Sequence, residues 1–232
     1  MTWLKQYQIR TERNSSHLTP YLPVLFGAAA RTPGAVIVEI GTDIGESTAT
    51  LLAAAEITGG HMWSVDINPK IGFLDVYARH GDPAGLWTFV CGDSSALTIA
   101  KQIPQRIDLL YVDGDHTYEH VCQEIRLYLP RVRGGGMALF HDTHKNTWAR
   151  PEEFRVDDAL NDLLPGMGLH WEDLPGVAGL GVVRVPPDRP CYFCTAQAVE
   201  LFNPLTEVQQ AYAGGSPVEV CAGCLCTAEE MR

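Results

Sequence analysis

Long apolar runs are missing from this chain of 232 residues. No stretch reaches the ~20 residues that a helix needs to span a bilayer, so a membrane protein is not expected. Basic residues are scarce: 17 Lys and Arg stand against 28 Asp and Glu, for a formal net charge of -11. Such a surface gives DNA or RNA few cations to exchange for counterions, which disfavours general nucleic-acid binding. The opening Met1-Thr-Trp-Leu-Lys-Gln lacks the basic and apolar regions of a secretory signal, so a cytoplasmic location is expected. Cysteine is nearly absent before residue 190. Cys91 and Cys122 stand alone there and read as buried thiols. Two nucleotide-binding signatures are also missing. The first glycine turn has no Gly-x-Gly-x-x-Gly spacing, and no Lys-Ser/Thr pair follows it to grip phosphate.

What is present points to a packed α/β protein. Hydrophobic residues make up 46% of the chain, enough for a substantial core. The organising stretch runs from Ala35 to Ser47. Its apolar, β-branched run, Ala35 to Ile40, predicts a buried strand of a parallel sheet. The strand carries Glu39 near its end and passes into a turn with Gly41 and Gly45. Ser47, Thr48, Leu51, Leu52 and Ala55 then recur at helical spacing. Glycines allow a ligand close to the backbone, and a helix N-terminus offers unpaired N–H groups.

The same unit repeats along the chain. Strands are predicted at 61–67, 86–93, 107–115 and 137–140, ending in Asp66, Asp93, Asp113 with Asp115, and His141-Asp142. A helix is predicted from Tyr118 to Leu129, closed by Pro130, and Gly134-Gly-Gly is read as a turn. Another helix is expected over 152–164, and a hairpin over 169–174 and 180–185. Before the first strand, residues 1–34 read as a helical lead-in, with Pro20 and Pro23 at helix starts. That lead-in would pack on the domain, cover a sheet edge or cap a ligand site. The fold class expected is α/β, Rossmann-like and doubly wound. Its seven-stranded sheet is mostly parallel, with an antiparallel closing strand. Ligands of such sheets bind beyond the carboxyl ends of the strands, where these acids fall in order.

Four motifs carry a resemblance. They are Val38-Glu-Ile-Gly-Thr-Asp-Ile-Gly45, Val65-Asp-Ile67, Cys91-Gly-Asp-Ser94 and Asp108-Leu-Leu-Tyr-Val-Asp113. In this order they resemble the class I S-adenosylmethionine-dependent methyltransferases. Val112-Asp-Gly-Asp-His-Thr-Tyr118 and Gly134-Gly-Gly-Met-Ala-Leu-Phe-His-Asp-Thr143 narrow the likeness to bacterial small-molecule and sugar O-methyltransferases. It covers residues 35–186. The resemblance implies that Asp66, followed by Ile67, accepts bonds from the cofactor's ribose. It implies that the loop of Gly41, Thr42, Asp43 and Gly45 passes the methionine part. Glu39 would orient that loop or meet the ammonium group, and Asp93 and Ser94 would lie at the adenine end.

For the proton to be removed there are two candidates. His116, after the fourth strand and beside Asp113, has a suitable pKa range for a base, or else it orders its own loop. Asp113, His141 and Asp142 could instead hold a divalent cation, although a His in place of an oxygen ligand speaks against Mg²⁺. His144, Lys145 and Trp148 either line the acceptor pocket or face solvent.

After Pro186-Pro187 the composition changes. Cys191-Tyr-Phe-Cys194 and Cys221-Ala-Gly-Cys224 are paired Cys-x-x-Cys knuckles, spaced to hold one structural Zn²⁺, with Cys226 as a spare ligand. Three segments are therefore expected: 1–34, 35–186 and a zinc-binding tail at 187–232. The expected activity is methyl transfer to a hydroxyl of a small or sugar-like acceptor. The competing reading is a binding module whose zinc tail recognises a macromolecule. A nicotinamide oxidoreductase is disfavoured by the glycine spacing. Oligomeric state stays open, a homo-oligomer being compatible with these features.

Overall fold

The computed structural model describes residues 2–13, 16–68, 70, 85–144 and 154–187. Their core is a seven-stranded sheet of β1 (Val36–Ile40), β2 (His61–Asp66), β3 (Trp87–Cys91), β4 (Ile107–Val112), β5 (Val132–His141), β6 (Trp171–Leu174) and β7 (Leu180–Arg184). The strand order is β3-β2-β1-β4-β5-β7-β6. The first five strands are parallel, and β7 pairs antiparallel with both β5 and β6. The chain therefore has the α/β, Rossmann-like fold with the closing antiparallel strand. The order reverses direction at β1 and β4, the switch point at which such sheets open a crevice.

Alternation along the strands builds two cores. Val38, Ile40, Leu110, Val112, Ala138, Phe140 and Val183 face one way. They pack on α4 (Leu97–Ala100), α5 (Tyr118–Tyr128) and α6 (Val156–Leu163). Ile37, Leu109, Tyr111, Leu139 and Val182 face the other way, toward α3 (Glu46–Thr58). Every residue of α3 from Ser47 to Ala55 is buried. Its partners on the outer side are α1 (Trp3–Arg13) and α2 (Leu22–Ala29). The small side chains of Ala49, Ala53, Ala54 and Ala55 let these layers approach closely. Pro20 and Pro23 stand in the first turns of a 3₁₀ helix (Thr19–Tyr21) and of α2.

One local expectation is corrected. Gly134 to Gly136 are not a turn before the fifth strand but lie inside β5, where the β4–β5 register shifts. A Cβ on Gly134 would meet the Pro187 carbonyl at 2.6 Å, and one on Gly136 the Asp108 carbonyl at 3.0 Å. The glycines form a bulge that lets neighbouring backbone close in. The helix expected over 152–164 is described from Val156, residues 145–153 lying outside the described part.

Candidate active site

The carboxyl ends of β1, β2, β3, β4 and β5 meet along one rim. Gly41, at φ +85°, makes the close meeting of β1 and β4 possible. A Cβ there would stand 2.0 Å from the Asp113 carbonyl oxygen. Gly45, also left-handed, caps the start of α3. Asp43 and Asp142 are the described non-glycine residues with positive φ, at 42° and 57°, and both sit on this rim.

Two cavities lined by described residues open along it. The first, about 460 Å³, is lined by Gly41, Asp43, Asp66, Ile67, Asp93, Ser94 and Asp113, and further by Asp115 and His120. The second, about 450 Å³, is lined by Thr42, His116, His141 and Asp142, with Ser16, His17 and Leu18 of the lead-in on its wall. Gly41, Asp43, Lys70, Asp113 and Gly114 line both, so the cavities adjoin. Of the cofactor residues expected from sequence, Glu39 and Gly45 line neither.

Glu39 lies beneath the site. The strand alternation turns it toward α3, where it is fully buried. Its carboxylate accepts from Ser47 (2.6 Å), Thr48 (2.8 Å) and Ser64 (2.7 Å). Burial pushes its carboxyl up to about 7, despite these three donors. Asp66 ties down the glycine loop. Its Oδ2 accepts from the Thr42 N–H and hydroxyl, both at 2.8 Å, and its Oδ1 from the Asn68 N–H at 2.8 Å. Asp93 accepts from the Ser95 N–H and hydroxyl, which hold its carboxyl below the usual range.

At the junction two histidines alternate with two aspartates. His116 Nε2 lies 3.0 Å from Asp142 Oδ2 and 3.4 Å from Asp113 Oδ1. His141 Nδ1 lies 3.1 Å from Asp113 Oδ1 and 3.3 Å from Asp142 Oδ2. Tyr111 donates to the remaining Asp113 oxygen at 2.8 Å. Burial opposes charge on both histidines, but the two carboxylates outweigh it. They lift His116 to about 9 and His141 to about 10. In turn, the histidines hold Asp113 and Asp142 below the usual carboxylate range against the effect of burial. The His116 ring also stacks on Phe154 at 4.8 Å.

Asp113, His141 and Asp142 can bring one ligand atom each to within 4.8 Å of one another. One imidazole and two carboxylates suit a borderline divalent ion such as zinc or manganese better than magnesium. His141 Nε2 is buried without a hydrogen-bond partner among the described residues.

His144 takes no part in either lining. Its ring nitrogens reach Asp173 (2.8 Å) and the Gly176 carbonyl (3.0 Å), fastening the β6–β7 hairpin to the end of β5. Lys145, Trp148 and the knuckles Cys191, Cys194, Cys221 and Cys224 lie outside the described residues. Sequence reasoning missed His120, Glu124 and Lys70. The first two stand at i, i+4 on α5, a spacing that reads as an ordinary surface pair.

Residues 38–143 match the family described as "Methyltransferase domain". An uncharacterized protein of Acanthamoeba polyphaga mimivirus is 31% identical over 74 residues, 32% of this chain and 34% of that protein. The match thus spans about a third of that relative's length. Among solved structures, an SAH-bound Podospora anserina methyltransferase aligns with a TM-score of 0.60, at 17% identity over 79% of this chain and 87% of that one. A Bacillus cereus O-methyltransferase in complex with SAH gives 0.60, at 17% identity over 79% and 90%. MycE methyltransferase of mycinamycin biosynthesis, with Mg and SAH, gives 0.54, at 18% identity over 80% and 55%. At these identities the likeness is one of fold. Residues 38–143 thus match a methyltransferase-domain family, within a sheet whose fold the chain shares with these solved methyltransferases.

Proposed function

We propose that the protein transfers a methyl group from S-adenosylmethionine to a hydroxyl of a small, polar acceptor. The observation that carries this reading is the pair of adjoining cavities, joined at Gly41 and Asp113, with His116 beside the junction. The residues present fit the cofactor. The first cavity is of ligand size, and Asp66 and Asp93 offer acceptors at successive strand ends. When bound, the cofactor supplies a methyl group already activated by its sulfonium. The chain's own task is to align the acceptor and take its proton. The second cavity is lined by Ser16, Glu46, Lys70 and His116, with no Phe, Tyr or Trp among the described lining residues. That lining favours a hydroxylated acceptor such as a sugar over a flat aromatic ring.

His116 is the base in this reading. Its Nε2 is held by Asp142 and Asp113, which leaves Nδ1 for the acceptor. The carboxylates keep the ring protonated at neutral pH, so the basic form grows about tenfold per pH unit until about 9. We expect kcat/KM to rise along that slope, and His116→Ala to flatten it. A second reading rests on the Asp113, His141 and Asp142 set: a divalent ion held there would acidify the acceptor hydroxyl. Activity lost to a chelator and restored by manganese or zinc would favour the ion. Activity indifferent to both chelator and His116→Ala would remove both assignments. Titration with S-adenosylmethionine, SAH and a nicotinamide nucleotide tests the cofactor itself.

For the region after Pro187 we infer a structural zinc on Cys191, Cys194, Cys221 and Cys224. Four thiolates would complete a tetrahedron and leave no position for a water to be activated. Elemental analysis of purified protein should give one zinc per chain, and its absence would remove the site.

A further inference from the structure

The first cavity has one feature that its strand-end acids do not explain. Glu124 of α5 is fully buried beside it. Ser94 donates its hydroxyl proton to Glu124 Oε1 at 2.5 Å, and Glu124 Oε2 has no hydrogen-bond partner among the described residues. A Cβ on Gly114 would lie only 3.3 Å from Oε1, so glycine at that position leaves room for the carboxylate. His120, one turn earlier on α5, completes the group. Its Nε2 lies 3.1 Å from Ser94 Oγ and 3.3 Å from Glu124 Oε1. Ser94 is itself fixed from behind, since Tyr128 donates to its carbonyl at 2.8 Å. A buried carboxylate with an oxygen to spare is costly, and here it holds a ring that lines the cavity.

The ring's state follows from its partners. The Ser94 proton is committed to Glu124, so Ser94 Oγ can only accept from His120. Nε2 is therefore the donor, and Nδ1 is left for whatever fills the cavity. The bond to Glu124 raises the His120 pKa, although burial opposes it, so Nδ1 carries a proton over a wider pH range.

The ligand's orientation follows from the reaction. The reacting sulfur must sit where the two cavities adjoin, at Gly41 and Asp113. The base of the nucleoside must then lie toward Gly92, Asp93, Asp115 and His120, away from the second cavity. Asp93 and Asp115, both held below the usual carboxylate range, can only accept from it. A purine also presents ring nitrogens that need a donor.

We propose that His120, positioned by Glu124 and Ser94, is a specificity residue for the cofactor's purine, with Nδ1 donating to a ring nitrogen of adenine. This rests on the methyltransferase reading above. It predicts discrimination against a base whose edge is reversed, because hypoxanthine carries N–H where adenine N1 accepts a bond.

Calorimetric titration of the full chain with S-adenosylhomocysteine and S-inosylhomocysteine tests it without turnover. The wild type should bind the adenine compound at least about tenfold more tightly. His120→Ala should weaken that compound about tenfold and bring the two within about threefold of each other. His120→Gln, which keeps a donor, should fall between and carries the test should the alanine variant not fold. Unchanged affinity in the variants, or equal weakening of both compounds, would overturn the assignment while leaving the cofactor reading intact. A wild type that binds neither compound would overturn both.

Discussion

At the scale of single residues, acids divide the labour. Asp66 faces the first cavity while fastening Thr42, so it has two tasks. Asp66→Ala should cost about 2–4 kcal/mol of S-adenosylmethionine binding, since it leaves donors unpaired. Unchanged affinity in a folded variant would rule out a ribose at Asp66. Glu39, placed by sequence at a strand end with the others, faces inward instead, because period-two alternation puts it on the α3 side. Its folded pKa, about 7, lies above the ordinary 4.5, so folding favours the protonated form. That contribution is present in full below about 4.5 and lost as pH rises through about 7. Glu39→Gln should remove this slope, worth roughly 3 kcal/mol over the window, from denaturant unfolding measured against pH. A wild-type stability flat between pH 4.5 and 7 would contradict the burial of a shifted acid there. The strand-end acids were legible because each follows an apolar run. The Glu124–His120 pair was not, because its burial depends on the missing side chain of Gly114 in another element.

At the scale of elements, spacing and composition were a good guide to the strands, α3 and α5, whose apolar periods are strong. They misplaced the Gly134–Gly136 run, because a glycine triplet between apolar runs looks like a turn. Only the approach of Pro187 and the β4 backbone shows that it is a bulge. Glycines at tight and open positions also respond oppositely to a methyl group. Gly41→Ala would drive a Cβ into the Asp113 carbonyl and force an L-residue into φ +85°. We expect a loss of about 3 kcal/mol or more in chemical denaturation, or failure to fold. Gly27, inside α2, has open space on the side where a Cβ would stand, with nothing within 4 Å. Gly27→Ala should be neutral or gain about 0.5–1 kcal/mol. Equal tolerance at both positions would refute the tight β1–β4 junction.

At the scale of the whole molecule, the antiparallel course of β7 carries the chain back to the start of β5. There Val185 pairs with Gly135 and Gly136, at the end of the sheet opposite the cavities. A protein truncated after Pro187 should therefore keep its S-adenosylhomocysteine affinity within about twofold, by calorimetry. A loss beyond about tenfold would make the cysteine-rich region part of the site. The sequence already led to this expectation, because every cofactor residue it offered lies before residue 187, but it does not say on which side of β5 the hairpin returns. The shared floor of the two cavities has a different consequence, for inhibition. Gly41, Asp43, Lys70, Asp113 and Gly114 belong to both, so two ligands bound together must touch or nearly touch. A single compound that tethers an adenosine to an acceptor-like sugar through a short linker could occupy both at once. The second half would then bind at an effective concentration in the millimolar range rather than from bulk solution. Under the proposed methyl transfer, a bisubstrate ligand of this kind should outbind either fragment by orders of magnitude, and the length of linker it prefers would measure the distance between the two ligands across that floor.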